Sequence, residues 1–203
     1  MTQKKSFVER YQDNDTPWEI NRPDHNLIDF VNDLSLAPGP AIDLGCGTGD
    51  NSVWLAEQGF QVTGCDLSDL ALAKAKAKAK QAGVTCTWFQ GDFLQTTPAG
   101  APFTFAFDRG CFHTFAAADA CPAFAARVAA ILADNGQWLS LIGNRDEERG
   151  DRQGPPQLTA SQIAQAVEPY FEILSLRRGH FDFDHAPAPL IWLCHLRKRP
   201  VTN

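Results

Sequence analysis

The sequence is short of positive charge: 18 Lys and Arg stand against 24 Asp and Glu, a formal net charge of −6 over 203 residues. A phosphate-backbone binder needs a basic face to displace condensed counterions, so nucleic acid is not an expected partner. Long apolar runs are missing as well. No stretch reaches the ~18 apolar residues of a membrane span, and the N-terminal MTQKKSFVERYQDNDT has no apolar core behind its lysines. A cytoplasmic protein without membrane contact is expected. The cysteines at 46, 65, 86, 111, 121 and 194 form no C-x-x-C pair and no zinc-type Cys/His spacing, so no metal is expected and the thiols read as small buried hydrophobes. There is no internal repeat and no Gly/Pro-rich tail. A chain of this length buries a core without staples, which predicts a single domain spanning residues 1–203.

Strand and helix candidates alternate along the chain, the pattern of a parallel sheet covered on both faces. AIDLG (41–45) opens the series, followed by a helix from Asp50 to Gln58, the strand FQVTGCD and a helix over Asp69–Ala82. In that helix ALAKAKAKAK alternates like a strand, but Ala and Lys are strong helix formers and Gly83 stands at the expected stop. VTCTWFQGD and PFTFAFDRG are the third and fourth strands. An alanine-rich helix over 119–133 and the strand GQWLSLIGN come next. RDEERGDRQGPPQ reads as a surface loop, with a lid over 145–157 as the alternative, and TASQIAQAVEPY as a helix with its own N-cap. FEILSLRRG and PLIWLCHLRKR, joined by HFDFDHAPA, suggest an antiparallel hairpin ending a seven-stranded, mostly parallel sheet. About 40 residues precede the first strand, with one helix candidate, PDHNLIDFVNDL.

AIDLGCGTGD (41–50) places Gly45, Gly47 and Gly49 between a strand and a helix. Such a loop turns backbone N–H groups and the positive end of a helix dipole toward a ligand, and glycine removes the Cβ that would hold it off. Dinucleotide sites use G-x-G-x-x-G. Here the pattern is D-x-G-x-G-x-G, and Asp43 suits an ammonium or sulfonium better than pyrophosphate. Asp66 ends the second strand, where a carboxylate can accept both ribose hydroxyls, and Gly91-Asp92-Phe93 ends the third. The alternatives are structural: Asp43 as a cap on the following helix, Asp66 as the start of a turn before Ser68.

This constellation resembles the class I S-adenosylmethionine-dependent methyltransferases over about residues 40–143. The resemblance implies a Rossmann-like α/β fold with helices on both faces, S-adenosylmethionine as cofactor and S-adenosylhomocysteine as product. It further implies a core over 40–203 with residues 1–39 folded over the active site. The cofactor contacts it implies are Trp18, Asp43, Gly45, Cys46, Gly47, Gly49, Asp66, Leu67, Asp92, Phe93 and Asp108. Asp92 would face the adenine amine, with Phe93 beside the ring.

The fourth strand ends in FDRGCFHTF and lacks the N/D-P-P-Y/F run of amine methyltransferases; the Pro155-Pro156 pair comes after the fifth strand. Asp108-Arg109-Gly110 is similar to the D-R-G of the thiopurine, thiol and halide methyltransferases, and Asp15-Thr16-Pro17-Trp18 with Arg22-Pro23 to their N-terminal T-P-W and R-P. That resemblance implies a small soft acceptor, most of all a thiol sulfur, with selenium, tellurium or halide acceptors close in chemistry. Arg109 would then hold a thiolate or substrate carboxylate and His113 would take or orient a proton. The structural alternatives are an ion pair of Arg109 with Asp108 or Asp92, and local packing of His113; Cys111 reads as pocket lining or core. His180, Asp182, Asp184 and His185 could border the acceptor pocket, with turn chemistry explaining the acids better than a metal. Small-molecule O- or N-methylation and cofactor binding without catalysis are the competing functions, and the chain as monomer or homodimer is left open.

Overall fold

The computed structural model describes residues 5–150, 154, 156–184 and 186–200. In chain order the elements are α1 (Phe7–Gln12), α2 (His25–Asp33), β1 (Pro40–Leu44), α3 (Asp50–Glu57), β2 (Gln61–Asp66), α4 (Asp69–Ala82), β3 (Thr87–Gln90) and β4 (Phe103–Arg109). A 3₁₀ helix (Phe112–Ala118) follows, then α5 (Cys121–Ile131), β5 (Leu132–Gly143), α6 (Ala160–Val167), β6 (Phe171–His180) and β7 (Leu190–Lys198). The strands form one seven-stranded sheet in the order β3-β2-β1-β4-β5-β7-β6. β1 to β5 pair in parallel, and β7 runs antiparallel to both β5 and β6. The expected doubly covered sheet with a terminal antiparallel hairpin is therefore the observed fold.

Local chemistry sets the elements. Ser68 Oγ accepts from the Ala71 N–H at 3.2 Å to start α4, and Gly83 ends it in a left-handed conformation at φ +71°. The buried residues of α4 are Ala71, Leu72, Ala75 and Ala79. That is a helical stripe, and the lysines between them stay at the surface. Along β4 and β5 the side chains alternate between two cores. Phe105, Phe107, Leu139 and Leu141 pack with Leu27, Phe30 and Leu55 on one face, while Ala106, Trp138 and Ile142 pack with Phe124, Val128 and Ile163 on the other.

Three local features depart from the expected layout. β5 begins at Leu132, earlier than the strand read from GQWLSLIGN, because its ladder with β4 slips between Phe103 and Phe105. α1 was not expected, although Ser6 and Glu9 form a complete capping box at its start. The 3₁₀ helix after β4 was also unforeseen.

Order reverses at β1, whose neighbours are β2 and β4. The loops leaving the carboxyl ends of these strands meet at that crevice, where open α/β sheets bind ligands. No helix among the described residues is long and apolar enough to cross a membrane.

Candidate functional site

Gly45, Gly47 and Gly49 all take positive φ, at +68°, +53° and +82°. Their missing side chains serve different ends. A Cβ on Gly45 would stand 2.9 Å from Cys111 Cβ and Sγ, and one on Gly49 would stand 2.7 Å from Ala75 Cβ. Those two positions are closed by the protein itself. A Cβ on Gly47 would meet only the Tyr11 hydroxyl, at 2.8 Å. Nor are the loop donors bare: the Cys46 N–H is held by Cys65 O at 2.9 Å, that of Gly49 by Cys46 O at 3.0 Å and that of Gly47 by Asp66 Oδ2 at 2.9 Å. A loop whose donors are satisfied internally offers little to pyrophosphate, which agrees with the glycine spacing.

The four acids read from the sequence divide into two kinds. Asp66 is partly buried and accepts the Gly47 and Ser68 N–H groups, one on each oxygen at 2.9 and 2.8 Å, leaving each oxygen a further lone pair. Burial raises its pKa against the pull of these bonds. Asp92 is partly exposed and forms a turn, its oxygens accepting from the Leu94 N–H (2.9 Å) and the Gln95 amide (2.8 Å). Asp43 and Asp108, by contrast, are at most 1% exposed. Asp43 accepts from Ser52 Oγ at 2.6 Å, a side-chain tie to α3, and burial pushes its pKa up to about 7. Asp108 accepts the Cys111 and Phe112 N–H groups at 2.9 Å and the Trp138 indole N–H at 3.0 Å. It anchors the 3₁₀ turn, so the expected cofactor contact is corrected: no part of its carboxylate opens on the cleft. Burial lifts its pKa to about 6.

Arg109 also departs from its expected role. Its partner is neither Asp108 nor Asp92. Its Nε donates to Asp24 Oδ2 at 2.7 Å, Nη1 to Trp18 O at 3.0 Å and Nη2 to Asp182 O at 2.5 Å, and its guanidinium lies 4.9 Å from the Phe181 ring centroid. Asp24 is wholly buried; its Oδ1 takes the Asn26 backbone and side-chain N–H groups at 2.9 and 2.7 Å. One arginine thus clasps the N-terminal segment, the end of β4 and the β6–β7 link. Arg22 repeats the connection at the surface, reaching Asp182 Oδ1 at 2.5 Å and Asp184 Oδ1 at 2.6 Å. The acids of HFDFDHAPA are therefore arginine partners; the His180 carbonyl accepts from Asn26 Nδ2 at 3.0 Å. His185 and part of the 145–157 loop lie outside the described residues.

His113 is buried, and its Nδ1 accepts from the Gly143 N–H at 2.8 Å. The neutral ring must then carry its proton on Nε2. Desolvation first, then the charges of Arg149 and Arg109, lower its pKa to about 3. A ring with its lone pair engaged and its charged form so disfavoured does not serve as a general base, which corrects the proton-accepting role. Phe181 meets it edge-on, with centroids 6.3 Å apart. Cys111 packs over Gly45, and burial holds its thiol well above the ordinary range. Leu67 is 55% exposed directly after Asp66, as an apolar wall for a ring requires. Phe93 and Cys46 are buried, Phe93 against Phe124 at 5.3 Å.

Above the loop lies an aromatic cluster from the N-terminal segment. The Trp18 indole N–H donates to Tyr11 Oη at 3.1 Å, and Phe7 and Tyr11 meet Trp18 edge-on at 5.3 and 5.8 Å. Burial, then the negative charges of Glu19 and Asp66, drives the Tyr11 phenol far above its ordinary pKa. Glu19 was not anticipated. Its Oε2 accepts from Thr16 Oγ1 at 3.5 Å, the Tyr11 phenol is within its hydrogen-bonding reach, and its Oε1 is buried without a hydrogen-bond partner. Lys78 closes the other side of the segment, bonding Asp50 Oδ2 at 2.6 Å, Thr48 Oγ1 at 3.0 Å and Asn21 Oδ1 at 3.4 Å.

An adenosyl sulfonium with an amino-acid tail fits these residues on three counts. Asp66 has free lone pairs for a ribose diol, Gly47 carries no side chain between the loop and Tyr11, and the Glu19 Oε1 calls for a donor.

Comparison with known proteins agrees with the fold and the loop. Residues 41–136 match the model of a methyltransferase domain. A putative methyltransferase of Geobacillus is 55% identical over 54 residues, 27% of this chain and only 22% of that protein's length. A probable thiol methyltransferase 2 of Arabidopsis thaliana is 29% identical over 79% of this chain and 71% of its own. The crystal structure of Burkholderia thailandensis 1,6-didemethyltoxoflavin-N1-methyltransferase, with bound 1,6-didemethyltoxoflavin and S-adenosylhomocysteine, superposes with a TM-score of 0.74 at 22% identity, covering 96% of this chain and 86% of that one. The glycine loop, the sheet order and the match over residues 41–136 converge on a methyltransferase domain carried on a Rossmann-like sheet.

Proposed function

We propose that the chain transfers a methyl group from S-adenosylmethionine to a small soft nucleophile, a thiol sulfur above all. When bound, the cofactor supplies an electrophilic methyl group on a sulfonium. Asp66 holds the ribose through the lone pairs left beside the Gly47 and Ser68 N–H groups, and Leu67 covers the adenine. The segment carrying Tyr11 and Trp18 lies across the crevice and excludes water, which favours neutralisation of a cationic donor by an anionic acceptor.

The observation that carries the acceptor reading is His113. With Nδ1 engaged at 2.8 Å and its pKa lowered to about 3, it takes no proton from a substrate. An acceptor that ionises by itself fits such a site. A thiol with a pKa of about 8.5 is already a few per cent thiolate at neutral pH, whereas an alcohol is not. The likeness to a probable thiol methyltransferase over 79% of the chain supports the same choice. Since Arg109 is fastened to Asp24, it acts by holding the pocket wall, not as the thiolate's counter-ion.

A neutral nitrogen acceptor is the second reading. Asp15, Glu19 and Asp184 line a cleft of about 340 Å³ beside the N-terminal segment, and its acidic rim disfavours anions. Labelled S-adenosylmethionine offered with a matched panel of thiols, phenols and amines separates the two. Transfer to thiols, with a rate that follows the thiol's own ionisation as pH rises, supports the first; transfer to amines alone overturns it.

A further inference from the structure

Glu19 follows Trp18 in the N-terminal segment, and its Oε1 is buried without a partner. A buried carboxylate oxygen left without a donor costs free energy. The neighbouring groups leave its charge uncompensated: Tyr11 Oη takes the Trp18 indole N–H and its hydroxyl is hydrogen-bonded with Glu19, but a phenol brings no positive charge. Asp66, the other charge Glu19 acts on, is itself a carboxylate. Glu19 lines a cleft with Asp15 and Asp184, and toward the loop it faces Tyr11, whose hydroxyl stands 2.8 Å from where a Cβ on Gly47 would be.

We infer that Glu19 is the residue that binds the α-ammonium of the cofactor's methionine moiety. The chemistry chooses among the cofactor's parts. A sulfonium carries a positive charge but no N–H or O–H, so it leaves an orphaned acceptor orphaned. The ribose hydroxyls have Asp66. An ammonium brings three donors and the charge that Glu19 faces without compensation, since the nearby groups it acts on are a phenol and a second carboxylate.

The inference rests on S-adenosylmethionine being the methyl donor, and the test separates the two ideas. Full-length wild-type chain, Glu19→Gln and Glu19→Asp are titrated calorimetrically with S-adenosylhomocysteine and with 5′-methylthioadenosine, which keeps the nucleoside and lacks the amino-acid tail. The expected result is that Glu19→Gln binds S-adenosylhomocysteine at least ~10-fold more weakly, Glu19→Asp falls between, and all three bind 5′-methylthioadenosine alike. Unchanged S-adenosylhomocysteine affinity in Glu19→Gln overturns the inference, and equal weakening for both ligands does too, by assigning Glu19 to folding of the segment. Wild-type chain that binds neither ligand removes the cofactor reading, and this inference with it.

Discussion

The two walls of the crevice are built in different ways. On the cofactor side, β1, the glycine loop and the end of β2 are held by backbone: Cys46 N–H to Cys65 O, Gly47 N–H to Asp66, Ser68 N–H to Asp66. On the opposite side, the N-terminal segment, the end of β4 and the β6–β7 link meet through side-chain charges centred on Arg109 and Asp24. The first wall is rigid by local geometry. The second is a set of ionic ties whose removal releases a segment without dismantling the sheet, which suits a wall that must admit a ligand.

The sharpest way to break this contrast is Arg109→Ala. It leaves the fully buried Asp24 carboxylate without its cation, and truncating one partner of a buried pair costs roughly 3–5 kcal/mol. Thermal unfolding should show that loss, and limited proteolysis should cut first between α1 and α2. An intact N-terminal segment in the variant would mean the clasp is not what holds it.

On the other wall, Gly49→Ala should cost roughly 2–3 kcal/mol, combining left-handed strain with a Cβ 2.7 Å from Ala75. Gly47→Ala should cost about 1 kcal/mol, since its Cβ meets only the Tyr11 hydroxyl, yet lose S-adenosylhomocysteine binding. Chemical denaturation paired with a binding titration distinguishes the two; equal stability losses would contradict the division between packing and cleft glycines.

His113 and Asp43 give the contrast a pH signature. A histidine lowered to about 3 in the fold contributes stability above its unfolded value that is lost as pH falls through the window from 6.5 toward 3. A carboxyl raised to about 7 does the opposite, adding stability as pH falls through the window from 7 toward 3.8. The two largely offset each other in the wild type. His113→Asn, whose Oδ1 can accept the Gly143 N–H, should therefore gain about 2 kcal/mol relative to wild type between pH 7 and pH 5. Parallel stability curves for the two proteins would refute a buried neutral His113. The smallest effect belongs to Arg22→Ala: its ties to Asp182 and Asp184 are at the surface, and the unfolding midpoint should scarcely move.

What could be read from the chain follows the same line. The succession of strands and helices, the Asp69–Ala82 helix and the loop at 45–49 are written in contiguous residues: a glycine at a left-handed stop, Ala and Lys in a helix, an acid at a strand end. The place of Asp66 beside the glycine loop was legible because it ends β2, next to the strand that feeds the loop. The partners of Arg109 were not, since Asp24 lies 85 residues away on one side and the Asp182 carbonyl 73 on the other; no local pattern pairs one arginine with groups that distant. The same holds for His113, whose engagement depends on the Gly143 N–H brought beside it by β5. α1 could have been found from the S-x-x-E capping box at Ser6 and Glu9. Glu19 stood next to T-P-W, but its orphaned oxygen appears only once the segment is folded over the loop.

Calorimetric titration of S-adenosylhomocysteine into wild-type chain and Asp66→Ala tests the cradle most directly. One equivalent should bind the wild type, and the variant should bind at least ~100-fold more weakly, the loss expected when two charge-assisted hydrogen bonds to the ribose are removed. Equal affinity for the two proteins, or no binding by the wild type, would contradict an adenosyl site at the ends of β1 and β2.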